Sequence, residues 1–437
     1  MGRYVPNTKE EQLKMLNEIG YKDFDDLFSV IPDSVRLKDL DLPAGKSELE
    51  VSRIISEMAA KNKQYKAIYR GAGAYDHYIP SIVKQITSKE EFVTAYTPYQ
   101  AEISQGVLQS IFEYQTAICQ LTGMDVSNAS VYDGGTAAAE ACAMCKDRKH
   151  STVYVSETTD PKVVSVIKTY CFGSNTEVKM VPAKNGLTDM DEAAKMMTEG
   201  AACLYIQQPN YYGQIEDAHK AADVAHNIGA KLIMGVNPVS LAIMETPREA
   251  GADIAVGEGQ PLGLPIAFGG PYIGFMACVS DMMRKIPGRI VGETTDDAGN
   301  RAFVLTLQAR EQHIRREKSS SNICSNEALC AMTVSVYLAA VGRDGLETVA
   351  NACASKAHYL QKELEKIGLK KKFDGEFFHE FVTTSSVPAD KILAALDNKG
   401  ILGGLKLSDN EILWCATEKN TKASMDEVVA TVKEVCA

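Results

Sequence analysis

The chain has 437 residues, 45% of them apolar and 24% charged, enough for two or three domains with a sizeable core. A net charge of −11 excludes the basic footprint of a nucleic-acid binder. The most apolar run, residues 328–341, is broken by Thr333 and Ser335 and is too short to span a bilayer, and residues 1–10 lack a signal-peptide core.

The elements begin with a helical arm. Thr8 and Glu11 form a capping-box pattern ahead of Leu13, Leu16 and Ile19, and Gly20 closes the helix. Asp33-Ser34-Val35-Arg36, after Pro32, reads as a turn. Ser47 with Glu50 caps a second helix whose apolar face is Val51, Ile54, Ile55 and Met58. This arm, residues 1–70, is expected to bury its apolar face against another domain or subunit.

From residue 71 the texture changes. Candidate strands at 152–155, 177–181, 203–206, 231–234, 254–256 and 273–277 alternate with helix-like stretches at 160–169, 189–198, 218–227 and 246–251. Such alternation predicts an α/β domain over 71–324, with a largely parallel sheet and ligands at the carboxyl ends of its strands. A long helix starts near Ser325 and runs to about Ala340, with Gly342 and Gly345 marking its end. A helix at 346–367, a β-like stretch at 376–384, a helix at 389–398, a strand at 411–415 and a closing helix at 424–435 complete a small α+β domain, so 325–437 form the third region.

Asp133-Gly134-Gly135-Thr136 stands immediately before an Ala-rich helix, where free amides and the Thr136 hydroxyl suit a phosphate. Within that helix Cys142 and Cys145 make a C-x-x-C with no second pair, which reads as buried small residues before redox or zinc. The eleven scattered cysteines fit reduced thiols in a cytoplasm. The order of elements reads as a pyridoxal-phosphate (PLP) enzyme of the aminotransferase type. Such an enzyme places a carboxylate at a strand end, against the pyridine nitrogen, and an imine-forming lysine about twenty residues later. This chain has Met234, Gly235, Val236 and Asn237 at the strand end, and residues 232–284 contain no lysine. Gly257-Glu258-Gly259-Gln260-Pro261-Leu262-Gly263 fills the loop where that lysine is expected, and neither Glu nor Gln forms an imine.

Two further groups could carry function. Ala95-Tyr96-Thr97-Pro98-Tyr99-Gln100 is a stiff aromatic turn of the kind that lines pockets or subunit contacts, and His77 lies in a similar stretch, Gly71-Ala72-Gly73-Ala74-Tyr75-Asp76-His77-Tyr78. Arg310, His313 and the charges around them, ahead of Ser319-Ser320-Ser321-Asn322, suit carboxylate or phosphate recognition or simply a solvated face.

These blocks together resemble the first-subunit form of the glycine cleavage system P-protein family. The matching words are Gly71 to Pro80, Tyr96 to Gly106, Leu121-Thr122-Gly123-Met124-Asp125, Gly257 to Gly263, Pro287-Gly288-Arg289-Ile290-Val291-Gly292, Arg310 to Lys318 and Asn322-Ile323-Cys324. Gly135 departs from the alanine of the pattern. The resemblance implies an α/β chain with a PLP-dependent-transferase-like fold (aminotransferase fold type I) that holds no PLP itself. The cofactor would sit on a second subunit in an α2β2 assembly that decarboxylates glycine and passes the aminomethyl group to the lipoyl group of H-protein, serving the T- and L-proteins indirectly. Loss of CO2 leaves a carbanion that the cofactor delocalises, while the protein orients, excludes water and docks the lipoyl arm. Tyr96, Tyr99 and Gln100, and less so Arg310 and His313, are then expected to approach the partner's pocket. Gly134, Gly135 and Thr136 would be a vestigial phosphate loop. The alternatives are a purely structural partner, or a stand-alone PLP enzyme using a displaced Lys168 or Lys285.

Overall fold

The computed structural model describes residues 6–37, 41–93, 97–267 and 269–436, and the chain divides into two compact units, Met1–Gln64 and Tyr65–Ala437. In the first unit α1 (Lys9–Glu18) starts at the expected capping box, with Thr8 and Glu11 each accepting the other's amide. Helix α2 (Glu48–Ala59) starts the same way at Ser47 and Glu50, and its Val51, Ile55 and Met58 are exposed.

After a two-residue strand, Ala67–Ile68, and a short helix, Ser81–Thr87, the second unit runs through α3 (Gln105–Thr122), β1 (Val126–Ser127), α4 (Gly134–Cys145), β2 (Thr152–Ser156), α5 (Pro161–Gly173) and β3 (Val178–Val181). It continues with α6 (Met190–Met196), β4 (Ala201–Gln208), α7 (Ala218–His226), β5 (Lys231–Val236), β6 (Ile254–Glu258) and β7 (Gly274–Cys278). The sheet order is β1-β7-β6-β5-β4-β2-β3. Strands β2 to β6 run parallel, while β7 is antiparallel to both β6 and β1. A parallel return needs a long crossover, usually a helix, and the described residues between β6 and β7 form none.

Side chains of the central strands alternate between two cores. Leu204, Ile206, Leu232 and Met234 pack with Tyr114 and Ile118 of α3 on one face. Cys203, Tyr205, Ile233 and Val256 pack with Ala137, Ala141 and Cys142 of α4 on the other, so the C-x-x-C cysteines are core residues. The stretch 246–251 is a turn instead of the expected helix. Thr246 and Glu249 exchange capping-box bonds there, but Gly251 at φ 90° stops the chain from continuing.

A hairpin, β8 (Ile290–Thr295) and β9 (Arg301–Thr306), leads toward α8 (Ala328–Lys366), whose backbone breaks at Gly342 (φ 62°, ψ −176°). Among the described residues α8 is the one helix long and apolar enough to cross a membrane, yet its Ala331, Val334 and Tyr337 lie in the core of the large sheet. The small sheet is antiparallel, with β10 (Lys370–Lys371), β11 (Glu380–Thr384), β12 (Leu405–Ser408) and β13 (Glu411–Cys415) in the order β10-β11-β13-β12. Helices α9 (Ala389–Asn398) and α10 (Lys422–Cys436) share its core around Trp414.

Candidate functional site

A cavity of about 370 Å³ opens at the carboxyl ends of the parallel strands, where α/β sheets bind ligands. Its wall includes Asp160 after β2, Gln207 on β4, Asn237 after β5, Glu258 at the end of β6, Gly134 at the start of α4 and Glu380 on β11.

The strand-end loops are built tightly. A side chain at Gly257 would meet Phe275 Cζ and the Val236 carbonyl oxygen at 2.4 Å, so only glycine lets β6 reach the cavity here. Asn237 sits where a ring-nitrogen carboxylate is expected. Its Oδ1 accepts the Val239 amide at 2.9 Å and its Nδ2 lies 3.5 Å from His379 Nε2. Gln260 is a buried buckle: it accepts the Tyr75 amide at 2.9 Å and donates to the carbonyls of Tyr75 (2.9 Å) and Leu264 (2.8 Å). Tyr75 in turn donates its hydroxyl to Glu380 at 2.8 Å, and the Ala72 amide donates to the same carboxylate at 2.7 Å.

Glu258 accepts three backbone amides, Gly134 at 3.0 Å and Gln260 and Ile273 at 3.1 Å each. Burial pushes its carboxyl up to about 7 against the pull of those amides. Asp133 caps the same helix start, taking the Thr136 amide at 2.7 Å. Four carboxyl groups, those of Asp133, Asp160, Glu258 and Glu380, thus line the cavity, and among the described residues Lys162 is its one lysine.

These residues do not fit PLP. The strand-end loop offers no amine, Asn237 offers no charge to a ring nitrogen, and the helix start that would hold a phosphate already serves two carboxylates of the chain itself.

Of the residues singled out in the sequence, Gly134 and Gly135 line this cavity, and Thr136 is buried just behind them. Tyr96 lies outside the described residues. Tyr99, Gln100, Arg310 and His313 do not line the cavity. Tyr99 is exposed and takes a hydrogen bond from Arg289. Arg310 donates to the carbonyls of Ile286 and Gly288, so Tyr99 and Arg310 both bond to residues of the segment 286–289. Gln100 is exposed before the short 3-10 turn Ala101–Ile103, and His313 is half-exposed, 3.5 Å from the Glu311 carboxylate. Lys168 and Lys285 stand in other surface hollows. Sequence reasoning passed over Arg289, which it held only as one letter of a motif, and Lys162, which carries no local signal.

The chain matches the family model for the glycine cleavage system P-protein over residues 2–432. It is similar to the probable glycine dehydrogenase (decarboxylating) subunit 1 of Desulfitobacterium hafniense, 47% identical over 99% of each chain. The protein of the same description from Moorella thermoacetica is also 47% identical, over 99% of this chain and 100% of that one. A crystal structure of glycine decarboxylase (P-protein) of the glycine cleavage system, in inhibitor-bound form, is 38% identical with a TM-score of 0.92, covering 99% of this chain and 100% of that chain. An aspartate aminotransferase from Thermus thermophilus, 15% identical with a TM-score of 0.60 over 85% of this chain and 99% of its own, shares the fold alone. The architecture is that of the PLP-dependent transferases.

Proposed function

Because the chain belongs to the glycine cleavage system P-protein family, we propose that it is the first subunit of a heteromeric glycine decarboxylase whose PLP is held by the second subunit. The assembly, α2β2 and cytoplasmic, decarboxylates glycine and hands the aminomethyl group to the lipoyl group of H-protein. Relatives of the same length carry the description subunit 1, which implies a companion chain. One observation supports the division of labour: the loop at the end of β6, where an imine-forming lysine is expected, carries no lysine, and its Glu258 is bound to the Gly134 amide.

The role left to this chain is orientation, exclusion of water and docking. Tyr99 supports that role, since its exposed ring is held from behind by Arg289, and Tyr96 and Gln100 are its near neighbours in the sequence. Arg310 anchors the turn that carries Arg289, and His313 follows on the same segment. The exposed Val51, Ile55 and Met58 of α2 suit a contact with the second subunit.

The test is reconstitution. The purified chain is expected to show no cofactor absorbance and no glycine decarboxylation, and to gain activity when the second subunit is added. Turnover by this chain alone, with PLP reducible onto Lys162 by borohydride, would overturn the assignment.

A further inference from the structure

The three amides that open α4 are those of Gly134, Gly135 and Thr136, because the Ala137 amide already donates to the Asp133 carbonyl. In a helix that follows a glycine turn, such amides are the natural ligands of a phosphate. Here two of the three are taken. Thr136 is bonded to the Asp133 carboxylate within the same turn, and Gly134 to Glu258, which comes from a strand end 124 residues further along the chain.

The Glu258 contact is specific in space as well as in bonding. A Cβ built on Gly134 would lie 2.9 Å from the Glu258 amide nitrogen and 3.0 Å from the Glu258 Cβ, so the helix start rests directly on the end of β6. The other Glu258 oxygen is tied to Gln260 and Ile273, which fixes the carboxylate in place. Asp133, Asp160 and Glu380 add carboxyl oxygens around it, against Lys162 alone among the described lining lysines. An incoming phosphate would find one unengaged amide and a wall of carboxyl groups in place of the donors it needs.

We propose that Glu258 is a built-in stand-in for a phosphate: its carboxylate occupies the anion cradle at the start of α4 and closes this cavity to phosphorylated ligands, PLP included. The inference rests on the reading that the second subunit holds the cofactor, and it deepens that reading by naming the group responsible on this chain.

The test uses the full chain, with inorganic phosphate and PLP as probes. Melting temperature is followed in phosphate against chloride of matched ionic strength, for the natural chain and for Glu258→Ala. An anion that binds only the folded chain raises Tm, so even a destabilised variant reports it. The natural chain is expected to shift by less than about 1 °C, and Glu258→Ala by about 3 °C or more. Glu258→Ser, which keeps a polar group beside Gln260, should respond in the same direction. Selective 15N-glycine labelling should place the anion at Gly134 and Gly135. Folded variants that ignore phosphate would overturn the stand-in and leave the division between subunits intact. Saturable binding of PLP by the natural chain would overturn both.

Discussion

Arg289 is 2% exposed and holds Tyr99, which is 64% exposed, by both its face and its hydroxyl. The guanidinium lies 4.8 Å from the ring centroid, and Nη2 donates to the Tyr99 oxygen at 3.0 Å. Arg289 has no carboxylate partner among the described residues, and its Nε has no hydrogen bond. A buried cation with so few partners is a costly arrangement, which marks Tyr99 as the residue it exists to position. Tyr99→Phe keeps the ring but leaves Arg289 without an acceptor, and should cost about 1–3 kcal/mol in urea unfolding. In the assembly with the second subunit, glycine decarboxylation should fall about tenfold, equivalent to about 1.4 kcal/mol. Undiminished turnover would favour a chain that merely props up its partner.

Gly257 and Gly173 should respond oppositely to the same substitution. A methyl group at Gly257 would meet an aromatic carbon and a backbone oxygen at 2.4 Å, neither free to move. Gly257→Ala should therefore destabilise the chain by about 3 kcal/mol or more and distort the cavity. At Gly173, in the last turn of α5, nothing lies within 4 Å of the added carbon. Gly173→Ala should stabilise by up to about 1 kcal/mol through helix propensity. Denaturant midpoints of the two variants, measured side by side, check the contrast.

What the sequence disclosed follows from the range of the interactions involved. The capping boxes at Thr8 and Ser47 act over three residues, and the helices begin one residue later in both cases. The glycine break near 342 and the limits of α9 and β13 are equally local, and they stand where expected. Helix α3 was not anticipated, although Val107, Leu108, Ile111, Tyr114 and Ile118 form a helical stripe. The candidate site was legible as the glycine start of α4 and as an absence. A missing lysine can be counted, but the bond from Gly134 to Glu258 depends on sheet order, which brings the end of β6 beside the start of α4. In the same way Arg289 gained meaning only from lying beside Tyr99, 190 residues away in sequence.

Gln260 is the clamp between the cavity loop and the segment that carries Tyr75. Its three side-chain bonds satisfy both backbone groups of Tyr75 and the Leu264 carbonyl, all in a buried setting. Gln260→Leu fills the same volume but strands the Tyr75 amide and the Leu264 carbonyl, and leaves the Tyr75 carbonyl with the His77 amide alone. The expected cost is about 2–4 kcal/mol. Because Tyr75 also donates to Glu380, hydrogen exchange should rise at Ala72 and Tyr75 as well as in residues 257–264. A variant as stable as the natural chain, with unchanged exchange at Tyr75, would show that the clamp is dispensable.

Glu380 gives the pH dependence its sign. Burial raises the carboxyls of Glu140, Glu258 and Glu380 to about 7, and in each case hydrogen bonds to the ionised form only partly offset the rise. Between the ordinary 4.5 and about 7 the folded chain holds protons on these groups that the unfolded chain releases, so each contributes stability that is lost as pH rises through that window. His379 acts the other way. Burial, and then the charge of His77, lower its imidazole to about 3, so below 6.5 the unfolded chain gains a proton the folded chain does not take. Three raised carboxyls outweigh one lowered imidazole. The urea midpoint should therefore fall as pH is raised from about 5 to 7.5. Below that range Glu418 turns the slope: burial alone would raise it, but the bond to His77 at 2.7 Å holds it near 2, and its contribution is lost as pH drops from 4.5 toward that value. Glu380→Gln keeps an acceptor for the Ala72 amide and removes the titration, so it should flatten the decline between pH 5 and 7.5. A midpoint that rises over this interval in the natural chain, or a slope that Glu380→Gln leaves unchanged, would show that these carboxyls are already ionised in the folded protein.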